Sequence, residues 1–541
     1  MEMDKRALIA VILALMVLIG SQYLFTKPQL PAPSKPPQEE KKTEEPAKEE
    51  RSLAPSTVLP ISAQTQVTPS KEITVETDLY TAVFSTRGAT VRKWDLKKYA
   101  NKEKRPISLL LSSAEMYPLS IIPEGQSAES AINVNYASDK DSLVLKGEEQ
   151  GSLSFIYSGP SGASISKTFT FYNGKYDVDV VTEVSGVQQY QVTIGSAMAT
   201  DEEGGTGLRV GPVLLNDNYR LEINANNIEG LGWIHRLLRR FTGEEGKKEI
   251  FYHANNPWIA EENRYFTLAL APTVTTSDVH VWKMERSDKK GADVGLAYEL
   301  KGGKAEFLLY AGPKKYEILK AFNRDLEHII DFGFFSILAR PLFWILKSFD
   351  RFTGNYGWSI ILLTVIVRIP FIPLLSKSQR SMRKMQELQP KLTELREKYK
   401  KDPQRLQKET LEMYKKYKVN PVGGCLPMLL QIPVFFALYK VLMMAFELRG
   451  APFMLWITDL SAKDPYYILP IVMGITMVIQ QKMTPTSLDP KQNKMMMMMP
   501  IIFTFMFLNF ASGLVLYWLV NNVLSIVQQF FTNRRLAHES A

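Results

Sequence analysis

The stretch "LLTVIVRIPFIPLL", residues 362–375, sets an arginine, Arg368, inside an apolar run and follows it with Pro370 and Pro373. A charge at the centre of a membrane helix costs about 2.5–3.5 kcal/mol on insertion scales. A chain that keeps one there must either offset the cost with partners or put the charge to use. Each proline removes a backbone donor, so the run reads as a helix that breaks just past the arginine.

Working outward, the 541 residues are too many for one compact domain, and the 45% hydrophobic content is unevenly spread. Apolar runs crowd residues 7–25 and the segment after about residue 330. The net charge of +9 sits beside these runs rather than in a separate basic domain, which favours positive cytoplasmic loops over nucleic acid. The single cysteine, Cys425, closes no internal disulfide.

The start, "MEMDKRALIAVILALMVLIGSQYLFTK", is charged and then apolar for long enough to span about 30 Å of hydrocarbon. No small-residue cleavage pattern follows, so residues 1–26 read as a retained anchor. Residues 27–70, rich in Pro, Glu, Lys and Ser, bury too little surface to fold and read as a tether. From 71 to 325 the pattern alternates with period two, as in "KEITVETDLYTAVFSTRG". "KTFTFYNGKYDVDVV" reads as a hairpin, with Phe169 and Phe171 on one arm, Tyr176, Val178 and Val180 on the other, and Asn173-Gly174 turning. This predicts a large antiparallel β-sandwich domain. It carries no HExxH, phosphate-binding glycine loop or serine elbow, so a tethered extracytoplasmic enzyme, one acting on sugars included, has no motif behind it.

Residues 326–352 mix aromatics with Asp331, Arg340, Lys347 and Asp350, a pattern for a helix lying in the membrane interface. Apolar runs then predict spans at 353–376, 421–446, 465–482 and 496–532. As one helix the run 496–531 would measure about 54 Å. Lys494 and Arg534-Arg535 place both its flanks in the cytoplasm, so it is expected to turn at Ala511-Ser512-Gly513, with arms of about 15–18 residues that favour a thinned bilayer. Six spans result, with both termini cytoplasmic and the β domain outside; 447–464 is an outer loop, 483–495 an inner loop and 533–541 a cytoplasmic tail.

In 377–420 basic residues exceed acidic ones by about two to one, as in a cytoplasmic loop. Met385, Leu388, Leu392, Leu395 and Tyr399 alternate spacings of three and four, as do Leu406, Thr410, Met413 and Tyr417. Asp402-Pro403 is a helix start, so the loop reads as an antiparallel helical hairpin, either a solvated surface or a docking arm for an acidic partner or nascent chain.

Within the apolar runs 357–376, 422–446, 465–481 and 496–531 the charged residues are Arg368 and Lys440, and Lys440 is near enough to an end to snorkel. No span offers Arg368 a carboxylate. Uncharged companions are Thr364, Gln431, Asn521, Asn522 and Gln528, or the carbonyls freed by the two prolines. An unpaired guanidinium at this depth implies a polar cavity opening to the cytoplasm, fit for a channel, a transporter or a site for hydrophilic polypeptide. The absence of intramembrane carboxylates and of an arginine row argues against proton coupling and voltage sensing. The run "KMMMMMP" at 494–500, with Met473, Met477 and Met506, supplies adaptable apolar surface.

"NYGWSIILLTVIVRIPFIPLLSKSQRSMRKMQELQPK", "KVNPVGGCLPMLLQIPVFFALYKVL", "APFMLWITDLSAKDPYYILPIVMG" and "SGLVLYWLVNNV" resemble the core of the YidC family of bacterial membrane protein insertases, over residues 325–532. The resemblance implies an α-helical polytopic inner-membrane protein, five core helices plus the anchor, with a periplasmic β-supersandwich that is largely scaffold. It implies a hydrophilic groove, open to the cytoplasm, in which Arg368 supplies the positive charge and the polar tail of a client is received. Thr364, Phe435, Met473, Tyr517 and Trp518 match the family's substrate-contacting face, and Gln431 and Asn521 are expected beside Arg368. The resemblance further implies no cofactor, no enzymatic step, and work on nascent membrane proteins alone or with the Sec translocon. Membrane lipids are partners, nucleic acid is not a direct one, and any ribosome or targeting-factor contact falls to 377–420 because the tail "TNRRLAHESA" is short. Two departures stand out: Ala511 where many relatives have proline before the serine, and Trp518 in place of a common tyrosine.

Overall fold

The computed structural model describes residues 70–540, apart from 102, 112–113, 115, 127–132, 160–161, 197, 200–210, 229–247, 254, 274–277, 286–291, 401, 418–425 and 485–489. The anchor at 1–26, the tether and Cys425 lie outside the described residues. The chain forms two compact units, one up to Ile330 and one from Asp331 onward.

The first unit is built from seventeen strands among the described residues. A five-stranded sheet takes β1 (Glu72–Glu76), β2 (Tyr80–Ser85), β3 (Thr90–Ala100), β4 (Pro106–Ser108) and, later in the chain, β7 (Ser142–Val144), ordered β4-β3-β2-β1-β7. The larger sheet holds β5 (Ile121–Pro123), β6 (Ala137–Ser138), β8 (Gln150–Ser158), β9 (Ser164–Tyr172), β10 (Asp177–Thr193), β11 (Gly211–Asn216), β12 (Tyr219–Glu222), β13 (Glu249–Tyr252), β14 (Trp258–Glu262), β15 (Phe266–Pro272), β16 (Asp278–Glu285) and β17 (Ala292–Pro313). The sheets meet through aromatic side chains: the Phe84 ring lies 4.9 Å from Phe169 and 5.8 Å from Phe171, centroid to centroid. Ring pairs at such distances add to the stabilisation their buried area already gives.

The period-two reading of β9 and β10 places the faces correctly, with Phe169, Phe171, Val178 and Val180 all buried. The turn is longer than a two-residue type. β9 ends at Tyr172 and β10 begins at Asp177, leaving a four-residue loop. Within that loop Asn173-Gly174 do make the turn, with Lys175 N donating to Tyr172 O at 3.3 Å and Gly174 at φ 76°, and the Asn173 side chain also ties neighbouring loops: its Oδ1 accepts from Asp78 N at 2.8 Å and its Nδ2 donates to Gly147 O at 2.8 Å. Tyr176 is thus freed from the strand to pack against Tyr310.

One core position of β9 holds a charge. In its buried row of Ile165, Lys167, Phe169 and Phe171, Lys167 is 0% exposed. Its Nζ donates to Gly88 O and Leu119 O at 2.7 Å and to Ala89 O at 3.2 Å, using all three ammonium protons. Two loops are thereby fastened to the sheet from inside.

The second unit is helical: α1 (Ser336–Thr353), α2 (Tyr356–Arg368), α3 (Ile372–Glu387), α4 (Gln389–Lys398), α5 (Pro403–Lys416), α6 (Leu426–Met444), α7 (Ile468–Met483), α8 (Pro490–Phe507) and α9 (Ser512–Ser540). α1 starts ten residues later than the interfacial segment expected at 326–352, because Asp331 Oδ1 accepts from Gly333 N at 2.7 Å and turns the chain first. It buries Ala339, Leu342, Phe343 and Leu346 and exposes Ile337, Trp344 and Phe352. The α-helix ends at Arg368, just before Pro370 and Pro373, as expected. The prolines sit in a single 3-10 turn, Ile369–Phe371, and at the start of α3, positions where a missing N–H is tolerated, so helical backbone resumes at once over 356–387, apolar up to Leu375 and charged beyond it.

The expected turn at Ala511-Ser512-Gly513 lies slightly earlier. α8 ends at Phe507, and Ser512 and Gly513 belong to the first turn of α9, which runs 29 residues rather than the expected 15–18. The free N–H groups of that first turn need acceptors. Ser512 N and Gly513 N find them at Ala462 O (2.7 Å) and Leu460 O (2.8 Å). The same 451–467 loop holds two other helix starts. Asn355, which caps α2, donates to Phe453 O at 3.0 Å, and a Cβ on Gly357 would come within 1.9 Å of the Phe453 ring. Asp464, 0% exposed, accepts from Trp456 Nε1 (3.0 Å) and from Leu469 N (2.7 Å) at the start of α7.

In the loop between α3 and α5, Asp402 caps α5 as expected, its carboxylate accepting from Arg405 N at 3.1 Å. Met385, Leu388, Leu392 and Met413 are buried and Tyr414 packs onto Met385 and Leu388. Tyr417 is exposed instead, receiving a hydrogen bond from Lys391 at 2.6 Å.

Burial pushes the Lys167 ammonium down to about 7. The unfolded chain keeps this proton up to the ordinary lysine range while the folded chain releases it above about 7, so stability rises with pH between those limits, by at most about 1.4 kcal/mol per pH unit. The thermal midpoint of the β unit should therefore climb from pH 7 to pH 9 in calorimetry. In Lys167→Met, which carries no titrating proton, that climb should be absent and the midpoint lower throughout, because three buried carbonyls lose their donor.

Candidate functional site

α9 carries a row of polar residues that face α2 and α3. Asn521, Ser525 and Gln528 recur at spacings of four and three, which stacks them on one helix face. Arg368, at the end of α2, reaches this row with both terminal nitrogens. Nη1 donates to Asn521 Oδ1 at 2.6 Å and Asn521 O at 3.2 Å; Nη2 donates to Ser525 Oγ at 2.7 Å and Gln528 Oε1 at 3.4 Å. The Arg368 Nε is buried without an acceptor. Gln528 continues the seam, its Nε2 donating to Ile372 O at 3.2 Å and Ser376 Oγ at 3.4 Å. Every acceptor is neutral, so the positive charge is hydrogen-bonded but not cancelled.

A small recess opens beside the guanidinium, lined by Thr364, Arg368, Gln431, Tyr517 and Asn521 together with apolar side chains of α2, α3 and α6. Five of the expected site residues thus converge on it. Thr364 lines it without touching the guanidinium, since its hydroxyl donates back to Ile360 O at 2.6 Å. The other three do not line it. Phe435 and Trp518 meet edge to face at 4.9 Å in an aromatic group with Phe503 and Phe507, and Met473 is 0% exposed.

Two features escape the sequence reading. Asn522 does not turn to Arg368; its Nδ2 donates to Thr476 Oγ1 at 3.2 Å, and Gln529, seven residues on, donates to Thr484 Oγ1 at 2.7 Å, both on the α7 side. Ser525 is the missed partner. The signal was its spacing from Asn521 and Gln528, which separates the α2-facing row from the heptad-spaced pair 522 and 529.

A bundle of apolar helices with one neutral-bonded arginine at a half-buried recess, joined in sequence to a large β unit, defines a membrane protein that works by binding. Residues 72–345 match the family model described as YidC periplasmic domain, and residues 348–539 match the one described as 60Kd inner membrane protein. Across its full length the chain is 42% identical to the Membrane protein insertase YidC of Geobacter metallireducens, covering 100% of both. It is 40% identical to that of Geotalea uraniireducens, covering 99% of this chain and 100% of the relative. A crystal structure of an active YidC insertase with its first transmembrane domain resolved shares 21% identity at a TM-score of 0.37, covering 85% of this chain and 92% of that one. The chain belongs to the YidC family of membrane protein insertases, inner-membrane proteins with a periplasmic domain that act on nascent membrane proteins and are not enzymes.

A hydrogen bond to a charged group contributes about 1.5–3 kcal/mol. A double-mutant cycle of Arg368→Met and Ser525→Ala, read from equilibrium unfolding of the full chain in micelles, should give a coupling of about 1–2 kcal/mol. Arg368→Met with Gln529→Ala, which faces α7, should give a coupling near zero.

Proposed function

We propose that the recess beside Arg368 is the inner part of a positively charged, hydrophilic groove open to the cytoplasm, and that it receives the polar tail of a client while the client's apolar segment leaves along the helices. The observation that carries this is the set of neutral partners around the guanidinium, which leaves its charge available to an incoming acidic group. Arg368 attracts the tail, Thr364, Gln431, Tyr517 and Asn521 solvate it, and Phe435 and Trp518 bear on the apolar segment, while Met473, expected on the same face, is fully buried and does not reach it. Supporting the thinned-bilayer part of this reading, α7 is only 16 residues long, short of the about 20 that a full span needs.

In this reading the chain has six spans with both termini cytoplasmic: an anchor at 1–26, a linker at 27–70, core spans at 353–376, 421–446 and 465–482, and a hairpin at 496–532. The β domain at 71–325 is a periplasmic supersandwich, 326–352 lies at the interface, and the 377–420 hairpin meets ribosomes or targeting factors. The protein works alone or with the Sec translocon, in contact with lipid.

Arg368→Ala should impair insertion of clients with acidic tails more than clients with neutral ones, measured by protease protection of tails that differ only in charge. Equal impairment of both would remove the electrostatic role. In a Cys425→Ser background, cysteines at 364, 431 and 521 should react with impermeant thiol reagents from the cytoplasmic side only. Reaction from both sides would mean a continuous pore and the channel reading in its place.

A further inference from the structure

The β unit has a second concavity, far richer in polar side chains, of about 420 Å³ between β5, β10, β13, β16 and β17. Its floor includes Trp282 of β16, paired across the ladder with Gly295 of β17. A Cβ at Gly295 would come within 2.1 Å of the indole Cε2, so the ring lies flat on bare backbone, a posture any other residue there would prevent. Met116 and Ile122 pack against the same ring. Two residues back along β16, the His280 ring lies 4.8 Å from Trp282 and stacks on Phe251 of β13 at 4.4 Å and 3°.

The polar groups around this floor are held in place by one another. His280 Nδ1 meets Gln191 Nε2 at 2.9 Å and its Nε2 meets Glu249 Oε2 at 3.0 Å, while Gln191 Nε2 also reaches Glu299 Oε1 at 3.5 Å. Gln126 and Gln189 stand on the rim. Three glutamates and two lysines line the cleft, so its charge is close to balanced and selects neither a strong anion nor a cation. The floor strands β10, β16 and β17 are each paired on both edges, so an extended peptide could add only beyond β5 or β13 and not onto the floor itself. What remains is a flat aromatic surface ringed by amides and carboxylates, each able to engage vicinal hydroxyl groups.

We propose that this cleft binds a pyranose unit of an oligosaccharide, its C–H face stacked on Trp282 and its hydroxyl groups hydrogen-bonded by Gln191, Glu299 and Gln189. The sugar belongs either to a soluble oligosaccharide or to a cell-wall glycan, which present the same ring chemistry. Saturation-transfer NMR on the full-length protein, in a detergent without a sugar headgroup, tests the first source with maltotriose and triacetylchitotriose. Co-sedimentation with purified peptidoglycan sacculi tests the second. Either source supports the proposal if binding, with a Kd of about 1 mM for a trisaccharide, weakens at least tenfold in Trp282→Ala and in Gln191→Ala and is largely kept in Trp282→Phe, which preserves the flat ring. No binding by trisaccharides or sacculi overturns it, as does binding indifferent to Trp282→Ala, or transfer to an extended peptide such as hexaalanine in place of the sugars.

Discussion

A guanidinium surrounded by apolar helices cannot be left without acceptors, and the arrangement of the helical unit follows from that requirement. Because no carboxylate is near, the acceptors are amide and hydroxyl oxygens, which satisfy the protons of the terminal nitrogens while leaving the charge in place. They come from three successive positions on one face of α9, so α9 must lie against α2 and α3 in one rotational setting. Asn522 and Gln529 fix the same setting from the opposite side by bonding to α7. α9 is therefore oriented by polar contacts on two faces, in surroundings where apolar packing alone distinguishes poorly between rotations.

The β unit meets the same problem in a different way. Lys167 replaces an apolar residue in an otherwise hydrophobic row, and three backbone carbonyls from two loops close around it. In both units a basic side chain is hydrogen-bonded without an anion. The consequences differ because Lys167 is sealed in and uses all its protons, whereas Arg368 borders a recess and keeps one buried N–H unused.

Much of this was legible in the sequence where a physical period governs it. Strand faces follow from alternation, so the buried row of β9 and β10 could be read directly. The neutral companions of Arg368 could be narrowed to a few residues by counting the polar groups in apolar runs. Details decided by a distant partner could not be read. The Asn173-Gly174 turn could be read, but not that Asp78 and Gly147 would claim the asparagine side chain as well. Pro370 and Pro373 end the α-helix at Arg368 as expected, but that a single 3-10 turn would join it to the next helix could not be read. Lys167 reads as a solvated strand residue because nothing local announces the carbonyls that enclose it.

The loop at 451–467 binds the first turns of α2, α7 and α9 at once, through Phe453, Asp464, Leu460 and Ala462. Helices clamped at one end behave as levers with a shared fulcrum. A small change of angle at the clamp becomes a displacement that grows along each rod, by about 1.5 Å of lever arm per residue. The Arg368 seam lies about a dozen residues from that fulcrum, so it acts as a catch partway along the levers. The catch holds α2 to α9 alone, since α9 stays tied to the α7 side through Asn522 and Gln529, so any give at the seam would fall between α2 and α9 while the clamped ends keep their register.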